Sequence, residues 1–293
     1  MYLTDLSTQF PLQIIRDGQF DSTGSFTRTN PNILVFVTNE NDCALIAKKD
    51  NISAVITTDL LATRIHEKCG LATTSDPERT YYAIHNFLVD SNLFRKQFLS
   101  KIDPSANIHH SAIISPENVI IGPDCRIGPN SVILKNSTIE SGIIIGPNCT
   151  IGGEGFRFIR RENEIIPIKH AGGVLIHKNV EIQANTCIDK ALYGDDTIIG
   201  EGTKIDNLVH IGHNVKIGKN CLIVANAMIG GSAQIGDEVW IGPSSAISNG
   251  LEIGDRAYII MGSVVTRNVP MDKMIWNNSV VDKEKFINFF QSS

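Results

Sequence analysis

The sequence predicts a mainly β protein, in which a parallel β-helix of hexapeptide repeats follows a small α/β domain and a short helix closes the chain. Three observations carry this. An aliphatic side chain recurs every six residues between Ile121 and Val265; the residues before about 103 lack that count and alternate runs of strand and helix length; and the count breaks twice, at insertions.

Ile121, Ile127, Ile133, Ile139, Ile145 and Ile151 are evenly spaced, and the count resumes at Ile176, Ile182 and Ile188. It then runs from Ile199 through Ile205, Ile211, Ile217, Ile223, Ile229, Ile235, Ile241, Ile247, Ile253 and Ile259 to Val265. A period of six fits neither the turn of an α-helix nor the alternation of a flat strand. It suits a triangular coil in which each aliphatic side chain plugs the inside. The next residue is expected to turn a corner, and Gly122, Gly128, Gly146 and Gly152 stand there. Three hexapeptides complete a coil, so residues 18 apart stack. Ile108 and Ile114 begin the count loosely, with a slip of one residue before Ile121.

Ahead of the repeats, Ile33–Val37 and Ser53–Thr57 read as short buried strands, with a helix from Asn41 to Lys49 between them. Pro77 to Val89 reads as a second helix with Pro77 near its start. The expected domains are 1–103 (α/β), 104–268 (β-helix) and 269–293 (cap), with Asp282 to Phe290 an amphipathic helix carrying Phe286 and Phe289 on its apolar side. Glu154–Gly173 and Asp189–Thr197 loop out from corners of the prism. The first insertion holds Phe156, Phe158, Arg157, Arg160, Arg161, Lys169 and His170. It reads as a solvated hairpin or as a flap over a neighbouring site, and its aromatic and arginine content favours the flap.

Composition narrows the function classes. The net charge of −5 supplies no basic surface for nucleic acid. No apolar run is long enough to cross a bilayer, and the opening MYLTDLSTQF lacks the regions of a signal peptide. The expectation is a soluble cytoplasmic protein. Cys125, Cys149 and Cys221 each stand two residues before a core Ile, in a slot that takes small side chains, and read as buried structural thiols.

The chemistry concentrates between Ile205 and Asn214, where Asp206, Asn207, His210 and His213 fall together. His213 is two residues past core Ile211, so its side chain points out of the prism. An outward imidazole is a solvated group or a general base, and spacing alone leaves both open. His210, directly before Ile211, reads as structural or surface. Zinc-binding hexapeptide prisms use three histidines, and the candidates here are His177, His210 and His213. Their spacing and the lack of an acidic cluster argue against a metal, and none is expected.

The stretch IDNLVHIGHNVKIG, with IGGEGFRF and NVEIQANTCID, resembles the UDP-3-O-(3-hydroxyacyl)glucosamine N-acyltransferase family of the lipid A pathway. The resemblance covers nearly the whole chain and is most specific from about Ile151 to Gly254. It implies a left-handed hexapeptide helix, a uridine-binding N-terminal domain and a homotrimer. It implies that His213 is the general base, that Asp206, seven residues earlier, orients it, and that the backbone N–H of Gly231 holds an oxyanion. The count agrees with the last point, since Gly231 follows His213 by 18 residues, one coil. Phe36 and Asn39 match the family's uracil site, while Asp42 stands where the family has a stacking Tyr. His170 and Asn207 complete the expected substrate contacts. Gly250 replaces a second histidine of the family, and the tail that meets acyl carrier protein is curtailed.

The function so implied is an N-acyltransferase with no permanently bound cofactor. The amine of a nucleotide-linked amino sugar attacks an acyl thioester, whose carrier is acyl carrier protein or coenzyme A. Gly250 and the short tail favour one alternative, a coenzyme A-dependent N-acetyltransferase for surface polysaccharide. A non-catalytic hexapeptide scaffold is the other, and it would need neither His213 nor Asp206.

Overall fold

The structure is a computed structural model that describes residues 1–26, 28, 30–276 and 279–282. The chain divides into two compact units. One comprises Met1–Lys96 with Arg157–Lys169; the other comprises Gln97–Phe156 and the chain from His170 onward.

The first unit is built on a five-stranded sheet. Ser22–Thr23, Ile33–Phe36, Ile52–Thr57 and Gly70–Thr73 run parallel, and Gln13–Arg16 adds an antiparallel edge. Ala54, Val55 and Ile56 are all buried, as the two covered faces of a parallel sheet require. Helices Glu40–Ala47 and Pro77–Asp90 lie close to their expected bounds. The second starts where Asp76 accepts the Arg79 N–H at 3.0 Å, with Pro77 at the position that needs no donor. Gln13–Arg16, Ser22–Thr23 and Gly70–Thr73 escape the sequence reading, being only two to four residues long. The first insertion is a hairpin, Phe158–Arg161 against Glu164–Pro167. Ion pairs tie it to the helix Pro77–Asp90: Arg161 to Asp76 at 3.0 Å and to Glu78, and Glu164 to Arg79 at 2.7 Å.

The second unit is the prism, a left-handed coil of three parallel sheets with eight, eight and ten strands, most of them two residues long. Ile127, Ile145, Ile182, Ile205 and Ile223 stack in one sheet, so both insertions are absorbed at corners without disturbing the ladder. The corner geometry differs from the sequence expectation. The left-handed residue comes three positions after most core aliphatics, as at Asn130 (φ 56°), Asn148 (φ 57°), Asn214 (φ 61°) and Gly250 (φ 70°). Most glycines directly after the core Ile have ordinary φ and answer to crowding instead. A Cβ on Gly128 would fall 2.7 Å from the Gly146 carbonyl carbon of the next coil. Asn tolerates the left-handed slot through local hydrogen bonding, which is why it recurs there.

Cys125, Cys149 and Cys221 are fully buried, and their thiols donate to carbonyl oxygens of the next coil, for example Cys149 to Gln183 at 2.9 Å. Burial pushes all three thiols up, Cys221 to about 11, so none supplies a thiolate at neutral pH. Past Val265, Lys273–Trp276 joins the ten-stranded sheet and pairs antiparallel with Ser279–Asp282. The helix expected from Asp282 to Phe290 lies, beyond Asp282, outside the described residues. Among the described residues no helix is long and apolar enough to cross a membrane.

Candidate active site

Four strands of one sheet bring the site together. Thr150–Gly153, Cys187–Asp189, His210–Ile211 and Met228–Ile229 stack in parallel with Ile151, Ile188, Ile211 and Ile229 in register. The residues leaving each strand therefore share one corner on successive coils, about 4.8 Å apart. They are Glu154 and Gly155, then Asp189 and Lys190, then His213, then Gly231.

His213 is half-buried and lies between two glycines. A Cβ on Gly155 would fall 3.0 Å from the His213 Cβ, and one on Gly231 would fall 2.8 Å from its Nε2. The Gly231 N–H is buried and donates to no partner among the described residues. The matching N–H groups of Lys219 and Asp237 donate to the carboxylates of Asp237 and Asp255, at 2.8 and 2.9 Å. The protonation pattern of His213 follows from its neighbour. Its Nδ1 lies 3.0 Å from Oδ1 of Asn214, and that same oxygen accepts the Leu192 backbone N–H at 2.8 Å. An atom that receives an amide N–H is the carboxamide oxygen, so Nδ1 of His213 carries the proton and Nε2, toward Gly231, is the basic nitrogen.

Asp206 is placed elsewhere. It leaves a strand of the ten-stranded sheet, whereas His213 leaves the next sheet along, because seven residues are one face and one step, not one coil. Its carboxylate accepts from the N–H and Nδ2 of Asn207, at 2.7 and 2.6 Å, and from the Ala225 N–H at 3.1 Å. Within one chain it makes no hydrogen bond to His213. Asn207 is equally committed, its Oδ1 accepting the Ala184 N–H at 3.1 Å. The side chain of His170 is fully enclosed, with its ring 5.4 Å from that of His213, and has no surface to offer a ligand. Its Nδ1 lies 3.2 Å from Glu154, whose other oxygen meets Lys190 at 2.6 Å. Burial pushes the Glu154 carboxyl up, but the contacts with His170 and Lys190 outweigh it and hold it at about 2. His170 thus backs His213 from inside the corner.

In the first unit, the half-buried ring of Phe36 packs on Tyr81 and Tyr82, with centroids 5.0 and 5.7 Å away. Asn39 caps the helix Glu40–Ala47, its Oδ1 accepting the Asp42 N–H at 3.0 Å and its Nδ2 donating to the Asp42 carboxylate at 2.7 Å. A separate cavity of about 430 Å³ opens beyond the carboxyl ends of Ile52–Thr57 and Gly70–Thr73, lined by Thr58, Asp59, Thr74 and Ser75 among others.

Asn214, Gly155, Glu154, Lys190 and Asp189 are the site residues that the sequence reading missed. Asn214 was findable as the residue after His213. The others need the register across two insertions, which follows only from matching Ile151 to Ile188 and Ile188 to Ile211.

Known proteins resemble the repeats of the prism. The bacterial transferase hexapeptide (six repeats) family matches residues 118–153 and 196–231, and the hexapeptide repeat of succinyl-transferase matches 232–267. A UDP-3-O-acylglucosamine N-acyltransferase of Helicobacter pylori (strain J99) is 37% identical over 227 residues, covering 68% of this chain and 65% of that protein. One of Wolinella succinogenes is 38% identical over 76 residues, 26% of this chain and 24% of its own. The chain spans just under two thirds of the length of the Helicobacter relative. Among solved structures, a UDP-N-acetylglucosamine acyltransferase from Campylobacter jejuni shares the fold, with a TM-score of 0.51 at 22% identity over 66% of this chain and 82% of that one.

Proposed function

We propose that the chain, which is similar to UDP-3-O-acylglucosamine N-acyltransferases and carries hexapeptide repeats, moves an acyl group from a thioester to the amine of a nucleotide-linked amino sugar. The observation that carries this reading is the seating of His213: its basic Nε2 lies beside the unpartnered, buried N–H of Gly231.

The amine nitrogen attacks the thioester carbonyl carbon. As the C–N bond forms, Nε2 of His213 takes a proton from the nitrogen, and the carbonyl oxygen becomes an oxyanion that receives the Gly231 N–H. The C=O bond re-forms, the C–S bond breaks, and the thiolate leaves with the proton from the imidazolium. Asn214 holds the imidazole in the tautomer this needs, the role that family resemblance gives to Asp206. Asp206 and Asn207 shape the adjoining corner. Phe36, propped by Tyr81 and Tyr82, offers its half-exposed ring to the nucleotide base beside Asn39. The acyl chain follows the outward row Met228, Ala246 and Val264, which runs in register away from the site. A second subunit of a homotrimer closes that open row.

The test is acyl transfer to UDP-3-O-acylglucosamine from a panel of acyl carrier protein and coenzyme A thioesters, with the active species sized by sedimentation. Transfer to nitrogen by a trimer is expected. Transfer to no amine, or full activity in a stable monomer, overturns the corresponding half of the reading. Gly250 bears on the donor: a Cβ there would meet nothing within 4 Å, so the slot of the family's second histidine is an open corner. A preference for acetyl-coenzyme A in the same panel would establish the N-acetyltransferase alternative.

Asn214→Gly keeps the left-handed corner and removes the oxygen that fixes His213. It should lower kcat by about 10-fold or more, short of the roughly 10²–10⁴-fold expected for losing the base itself. Asn214→Asp, which retains the acceptor, should restore most of the activity. Nitrogen NMR of the imidazole should show the Nδ1–H tautomer in the parent and a mixture in the glycine variant. Equal spectra would remove Asn214 from this role.

A further inference from the structure

Asp189 is a buried carboxylate at the active corner to which the reaction as written gives no task. The strand that it ends stacks directly on His210–Ile211, one coil before His213 and two before Gly231. The residue is only 8% exposed, and its carboxylate accepts no hydrogen bond among the described residues. Four other aspartates along the prism are in use: Asp206, Asp237 and Asp255 accept backbone N–H groups, and Asp272 is paired with Arg256. Among the described residues the cationic candidate in reach of Asp189 is His210, whose Nε2 lies 3.6 Å from Oδ2.

We propose that Asp189 and His210 form the subsite that receives the acceptor's amino group as an ammonium ion, and that Asp189 takes its first proton before His213 takes the second. This rests on the amine-acylation reading above and deepens it. A carboxylate buried without donors is costly, and an ammonium supplies the donors it lacks. An amine flanked by electron-withdrawing groups titrates near the α-amino range of about 7.7–8.0, so at neutral pH most of it is protonated and cannot attack a carbonyl. Burial, then the charge of Glu154, push the Asp189 carboxyl up to about 7, close to the acidity of such an amine. The exchange is balanced: the ammonium loses one proton to the carboxylate and becomes a neutral amine. His210, whose ring burial favours in the neutral form, is 47% exposed and relays that proton to solvent. The charged groups around Asp189 are Glu154, itself paired with Lys190, and His210. A hydroxyl acceptor brings no such charge, so the subsite selects nitrogen over oxygen.

The test compares binding of UDP-glucosamine and of its neutral analogue UDP-N-acetylglucosamine by calorimetry, in the parent and in Asp189→Asn. A preference of about 10-fold or more for the cationic sugar is expected in the parent, and loss of that preference in the variant. A variant that keeps the preference overturns the proposal. A parent that binds neither sugar overturns the acceptor reading and this proposal with it. Kinetics separate the two readings further. With UDP-3-O-acylglucosamine as acceptor, Asp189→Asn should lose about 10²-fold in kcat/KM near pH 7 and regain it as rising pH deprotonates the free amine. A loss equal at every pH, beside an inactive His213→Ala, overturns the Asp189 subsite alone. An active His213→Ala overturns the base assignment instead.

Discussion

His213→Ala is expected to lower kcat by roughly 10²–10⁴-fold, the usual contribution of a positioned general base. The loss should fall on kcat and kcat/KM alike, because the proton moves only as the transition state forms. Folding should survive. The ring points outward between Gly155 and Gly231 rather than into the aliphatic core, and the stacking partners of Ile211 are unchanged. The vacated space between the two glycines should admit added imidazole, with partial recovery of the rate. A His213→Ala protein within a fewfold of the parent would show that His213 is a surface histidine.

Asp189→Asn is expected to be more stable than the parent at pH 8, although it is less active. The carboxyl titrates at 3.8 in the unfolded chain and at about 7 in the folded one, so between those values the folded state holds a proton that the unfolded state has lost. Stability therefore falls as pH rises through that window and stays lower above it. Each pKa unit corresponds to about 1.4 kcal/mol, so the variant should gain on the order of a few kcal/mol at pH 8 and almost nothing at pH 3. Urea unfolding of both proteins at matched pH measures the difference. A variant no more stable than the parent at pH 8 would mean that Asp189 is not held at a cost. A residue whose removal helps the fold and harms the reaction is one kept for its chemistry.

The prism was legible because its constraint is one-dimensional: a side chain every six residues must fill the same interior, and nothing else in the chain produces that count. That Gly231 stacks one coil beyond His213 was legible for the same reason, since no insertion separates them and 18 residues is one coil, whereas the roles proposed for the two came from the family resemblance. Phe36 was placed on its strand, yet Tyr81 and Tyr82, which hold its ring, lie on a helix more than forty residues away and carry no local signal. Asp206 carries a different lesson. The family resemblance pairs it with His213, whereas within one chain the prism turns the two onto different corners. Asp189 and Glu154 were hidden by the insertions between them and His213. Gly250 looked like a functional loss, but a glycine also serves the left-handed position that most of the hexapeptides have there.

The ladder that positions the site also sets how the molecule comes apart. In the sheet that carries His210, four strands precede it and three follow, each hydrogen-bonded only to its immediate neighbours. Such an array melts from its ends inward, and a coil lost at either terminus leaves the central ones paired. His213, Asp189 and Gly231 occupy the middle rungs. Their corner is therefore shielded from terminal fraying, and amide protons of these rungs should be among the last to exchange with solvent.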